Sequence, residues 1–232
     1  MISLNYFKQA DINLLKWIYL LPFKRTWFIK ALIFIGDGPF WMLVVFFTAL
    51  VSQMSVLPIA VEQSFALVAN LLIIGLIIGN FIFVPMKEHI HRRRPYANSE
   101  LQKKLAIQIV NRDPGHGSKE FESFPSGHAM WTTLCVGIIC SQFGWLTVVM
   151  LGWLVPAMIL LRPYLGVHYP SDALLGFVLG LIIAALVIGI APDVAEFVLY
   201  LQQLSGAFYL FGYWIVIALF LYKGMKSWLK RV

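Results

Sequence analysis

Six apolar runs of about membrane-crossing length follow one another along the chain, at residues 40–56, 65–85, 126–143, 145–161, 173–190 and 207–222. A helix needs roughly 20 apolar residues to cross the hydrocarbon, where each backbone polar group must bond within its own segment. The expected fold class is therefore all-α, a polytopic membrane helix bundle of about six transmembrane helices. Composition agrees, since 12% of the 232 residues are charged against roughly 25% in an average soluble domain. Small-xxx-small pairs, Gly75 with Gly79 and Gly176 with Gly180, are read as helix-packing positions.

Residues 1–36 read differently. Lys8, Lys16, Lys24, Arg25 and Lys30 interrupt the apolar residues Leu14, Leu15, Trp17, Ile18 and Leu21, a pattern for one or two helices lying in the interface. The interruptions leave no clean apolar core before a cleavage site, so no signal peptide is expected. The breaker run Gly36-Asp37-Gly38-Pro39 closes this segment, with Asp37 as a turn residue. Residues 86–125 form the one long polar loop, expected to belong to an active site. Residues 1–232 are expected to form a single membrane-embedded domain without internal repeats.

The net charge of +7 comes from residues that flank the spans or sit in that loop. Topology and anionic head groups account for the placement, and no nucleic-acid partner is expected. Cys135 and Cys140 fall on different faces of one helix, so no disulfide joins them. With six spans, three polar stretches share one membrane face: the end of the second span, the start of the third, and the turn between the fourth and fifth.

The first stretch runs from Lys87 to Pro95. Lys87 and Arg94 are seven apart, on one face of a continuing helix, and could bracket phosphate oxygens. Arg92 and Arg93 are read as a solvated basic loop at the head groups. His89 and His91 lack a further ligand, and no metal site is assigned. The second stretch is Ser123-Phe124-Pro125-Ser126-Gly127-His128. Pro125 suits a helix's first positions, Ser126 its cap, and the N–H groups there form an anion site. Gly127 would admit an oxyanion to the backbone, with His128 beside it. The third, Arg162-Pro-Tyr-Leu-Gly-Val-His168-Tyr-Pro-Ser-Asp172, adds a cation, a second imidazole and a carboxylate. Its plain structural alternative is an Arg162–Asp172 ion pair closing a turn.

Together, Lys87-x6-Arg94-Pro95, Pro125-Ser126-Gly127-His128 and Arg162-x5-His168-x3-Asp172 resemble the three-part signature of the type 2 phosphatidic acid phosphatase family, in a superfamily that includes vanadium haloperoxidases. One departure is Leu161, where the family has serine. The resemblance implies that His168 attacks phosphorus to give a phosphohistidine, with Asp172 holding its ring. It implies that His128 protonates the leaving group and then activates water. Lys87, Arg94, Arg162, Ser126 and the Gly127 N–H would stabilise the equatorial oxygens, with no metal and no cofactor.

The implied activity is an integral-membrane lipid phosphatase acting on a lipid phosphomonoester or pyrophosphate. Undecaprenyl pyrophosphate is the first choice; phosphatidate, phosphatidylglycerophosphate and lipid A phosphates are the others. The alternatives are a lipid phosphotransferase using the same site, or a non-catalytic membrane binding or transport protein. The partners expected are the lipid substrate and the bilayer, with no obligate protein partner. The expected location is a bacterial inner membrane, crossed several times. All 18 Lys and Arg fall on the motif-bearing face if residues 1–36 do not cross, which points to the cytoplasm. The resemblance implies the periplasm.

Overall fold

The computed structural model describes residues 2–23, 26–54, 57–113 and 120–200, and residues 211, 212, 214, 215, 218, 219 and 222 beyond them. Among the described residues the chain is helical: α1 (Ile2–Tyr19), α2 (Trp27–Ile35), α3 (Gly38–Val51), α4 (Ile59–His89), α5 (Ser99–Leu105), α6 (Gly127–Phe143), α7 (Trp145–Leu151), α8 (Leu154–Tyr164) and α9 (Pro170–Gly189), with a 3₁₀ turn at Pro95–Ala97. It is a membrane helix bundle, as the apolar runs require. Among the described residues three elements are long and apolar enough to cross: α4, the run Trp145–Tyr164 through α7 and α8, and α9. α2 and α3 meet at a 70° bend and make a fourth if they form one span. The expected crossing at 207–222 falls largely outside the described residues.

α6 occupies the middle of the bundle. Residues Gly127 to Val136 are buried without interruption, which explains why the helix is apolar all round rather than striped. Its 17 residues span about 25 Å. It packs on α9 at the second glycine pair: a Cβ on Gly176 would lie 2.4 Å from the Ser126 carbonyl oxygen, and one on Gly180 2.6 Å from that of Met130. α4 approaches from the other side, its Gly79 backed by the Trp131 ring at 2.4 Å from an added Cβ. The α6–α7 hairpin closes at Gly144, whose φ of +78° and ψ of −165° suit glycine alone.

α1 covers the polar loop. Its Ile12, Leu15 and Tyr19 are buried against Leu101 and Leu105 of α5, Ile109 and Tyr169, while Phe7, Leu14 and Trp17 are exposed. The loop itself is folded where described. Asn98 caps α5 by accepting from the Leu101 N–H at 3.1 Å, and Gln102 bridges the Tyr96 carbonyl and the Ile109 N–H.

Candidate active site

The first stretch does not continue as a helix to Arg94. α4 ends at His89, where Ile90 leaves helical dihedrals at φ −99° and ψ 87°, and Pro95 then disfavours helical dihedrals at the residue before it. Arg94 accordingly has φ −67° and ψ 151°. Lys87, in the last turn of α4, donates to the Glu122 carbonyl at 3.2 Å and lies over the Phe83 ring. A cavity of about 350 Å³ opens beside it, lined also by Glu88, His91, Glu120 and Glu122. Arg94 is buried, with its N–H on the Glu120 carbonyl at 2.7 Å and its guanidinium on the Val167 carbonyl at 3.1 Å.

Ser123 knits the second stretch to both others. Its N–H donates to the Arg92 carbonyl at 3.0 Å, its hydroxyl donates to Asp172 Oδ2 at 2.5 Å, and its carbonyl accepts from His168 Nδ1. The Ser126 N–H donates to the Asp172 carbonyl at 3.0 Å, setting the start of α6 against the first turn of α9. Ser126 holds the N-cap position but makes no side-chain cap bond. Its buried hydroxyl has no partner among the described residues. Pro125 precedes the cap rather than opening the helix. Gly127 is the first helical residue, and a Cβ there would meet Phe83 at 2.7 Å. Its lack of a side chain lets the Phe83 ring of α4 lie against the start of α6. His128, buried in the first turn of α6, has Gly36 beside it, whose added Cβ would lie 2.7 Å from the imidazole Cδ2.

In the third stretch Arg162 is 1% exposed and pairs with Asp113 at 2.9 Å, not with Asp172. Its Nε has no partner among the described residues. Leu161 lies in the apolar core. Gly166 takes φ +75° with its Cα against the Val110 carbonyl, 2.8 Å from an added Cβ. Only glycine makes that turn, which delivers Val167 to Arg94 and His168 to Ser123. Asp172 is the third residue of α9, and its Oδ2 accepts from the Tyr169 N–H at 2.9 Å, a capping contact that fixes the carboxylate. The His168 ring is held by Ser123; Asp172 Oδ2 is 3.7 Å from Nδ1.

The electrostatics follow from burying cations together. Arg94 is pushed down to about 10 by burial and by the Arg162 charge. Burial, then the charges of Arg94, Arg162 and Lys87, push His168 well below the ordinary imidazole value. Those charges act on His168 from the first and third stretches, so the ring is neutral at pH 7 in a positive field. A site of this kind favours an anion.

Sequence reasoning missed four residues. Arg92, read as solvated, bonds Asp172 at 2.6 Å and Asp11 at 2.8 Å while stacking on Tyr169. Arg93 keeps to the outside, over the Phe121 ring. Ser123 was in view without a role, and Asp113 and Asp11 carry no local spacing signal.

The solved structure of Aquifex aeolicus LpxE superposes with a TM-score of 0.58 at 16% identity, over 76% of this chain and 93% of that one. The first transmembrane PAP2 type phosphatidylglycerolphosphate phosphatase from Bacillus subtilis superposes with a TM-score of 0.54 at 21% identity, over 82% and 88%. No curated protein sequence matches. Residues 67–195, which hold all three stretches, match the family model of the PAP2 superfamily, and to that superfamily the chain belongs.

Proposed function

We propose that this protein is an integral-membrane lipid phosphatase that works through a phosphohistidine at His168. One observation carries the reading: Nδ1 of the buried His168 meets a carbonyl oxygen, which can only accept. Nδ1 must therefore hold the proton, and Nε2 of the neutral ring holds the lone pair. The cations that depress the His168 pKa are the ones an anionic substrate would neutralise.

In the proposed reaction Nε2 attacks phosphorus, forming the N–P bond as the bond to the leaving oxygen breaks. Protonated His128 gives its proton to that oxygen. The ring then carries positive charge, 3.7 Å from the Asp172 carboxylate. His128, now neutral, takes a proton from water, whose oxygen attacks phosphorus and returns the electron pair to Nε2. Lys87, Arg94, Arg162, the Ser126 hydroxyl and the Gly127 N–H hold the equatorial oxygens. Phosphoryl transfer needs mainly positioning and charge stabilisation, and these groups supply both without a metal.

A site at one end of the membrane helices suits an amphiphile with its phosphate at the interface and its tails among the helices. Candidate substrates are undecaprenyl pyrophosphate, phosphatidate and phosphatidylglycerophosphate, and the proposed setting is a bacterial inner membrane. The test is phosphate release in detergent from each lipid, with EDTA present. Release that survives EDTA and disappears in His168→Ala supports the reading. Equal release by His168→Ala, or none from any of the three lipids, would overturn it.

A further inference from the structure

The N-terminal helix reaches the site through one carboxylate. Asp11 of α1 accepts from the Ser171 N–H at 2.9 Å, the Ser171 hydroxyl at 2.7 Å and Arg92 Nη2 at 2.8 Å. Arg92 donates through Nη1 to Asp172 Oδ1 at 2.6 Å and to Ser171 Oγ at 2.7 Å. Its guanidinium lies 3.9 Å over the Tyr169 ring. Asp172 in turn accepts from the Ser123 hydroxyl, and the Ser123 carbonyl holds His168. An unbroken chain of bonds thus joins Asp11, Arg92, Asp172, Ser123 and the imidazole.

We propose that Asp11 is a positioning residue for the nucleophile, acting through Arg92; the inference rests on the reading of His168 as nucleophile. Arg92 is the weakest link in the chain. Its side chain is 31% exposed, and a cavity of about 420 Å³, lined also by Lys8, Arg93 and Lys104, runs beside it. An arginine with one partner and water at hand keeps several rotamers. With one carboxylate on each terminal nitrogen, its planar fork has a single orientation. Ser171 belongs to the same first turn of α9 as Asp172, so Asp11 fixes both ends of the Arg92–Asp172 bond. The buried apolar face of α1 docks the helix independently of this carboxylate.

The test compares Asp11→Asn, Asp11→Glu and Arg92→Gln in full-length protein, with phosphatidate in detergent as probe. Asn keeps the size and one acceptor but presents an amide to Arg92. In Asp11→Asn, kcat is expected to fall roughly 10- to 100-fold with KM within about twofold, the scale of losing an orienting partner. Asp11→Glu, which keeps the charge, recovers part of that loss. Within an Arg92→Gln background, Asp11→Asn costs nothing further. Unchanged kcat in Asp11→Asn, or the same loss with and without Arg92, overturns this inference while the phosphatase reading stands. Wild-type protein that releases no phosphate from phosphatidate, undecaprenyl pyrophosphate or phosphatidylglycerophosphate overturns both.

Discussion

At the residue scale, the proposed function turns on the state of one imidazole. Burial and three neighbouring cations hold His168 well below 6.5. The unfolded chain binds a proton there below about pH 6.5, and the folded protein does not. Folding stability is therefore full above that pH and declines as the pH falls through the window beneath it. His168→Gln is expected to flatten the decline, read as the thermal midpoint between about pH 7 and 5. His128 offers a separate test. Its replacement by Ala removes the proposed general acid, worth roughly 10²–10⁴ in rate for an alkoxide leaving group. A nitrophenolate needs no such proton, so His128→Ala with p-nitrophenyl phosphate should give a burst of about one equivalent and then stall. Which residues a reader of the sequence could find depended on what distinguishes them locally. Arg92, Arg93 and Arg94 are three identical letters, and only the fold separates the two that turn inward from the one left over Phe121. Asp113 meets Arg162 across 49 residues, and no periodicity announces such a pair. The pair itself is testable. Asp113→Ala strands a buried guanidinium and should cost roughly 3–5 kcal/mol, while Arg162→Met with Asp113→Leu should recover stability without recovering turnover.

At the element scale, the site depends on how closely α6 and α9 approach. A Cβ at Gly176 would press on the Ser126 carbonyl, and one at Gly180 on the Met130 carbonyl. Gly180→Ala should lower stability by about 1–3 kcal/mol through overpacking, with activity lost in proportion to folded protein. Gly176→Ala should lower kcat further than its stability loss explains, since it displaces Ser126 at the start of α6. Parallel denaturation and turnover measurements separate the two. The packing glycines were legible because their spacing is a helical period. The course of the chain from Lys87 to Arg94 was not, because seven residues place two side chains on one face only if the helix continues. The helix ends at His89 instead, yet Arg94 still reaches the site by bonding to Val167 and Glu120.

At the scale of the whole molecule, three stretches far apart in sequence meet at one end of a helical bundle and bring cations to a neutral imidazole. Their shared face followed from counting apolar runs, since each crossing reverses the side. The contacts that lock them did not, because Ser123 and Asp11 act through pairings that hydropathy does not encode. A cradle of buried cations should bind a tetrahedral or trigonal-bipyramidal oxyanion. Orthovanadate is expected to inhibit competitively and to raise the thermal midpoint, by about 2.7 kcal/mol of stability at 100 times its Kd. The central claim is the covalent intermediate. Protein mixed with ³²P-labelled lipid substrate and quenched in alkali should carry label at up to about one equivalent, stable to base, lost in acid, and absent from His168→Ala. Turnover with no base-stable label, or label that persists in His168→Ala, would contradict it.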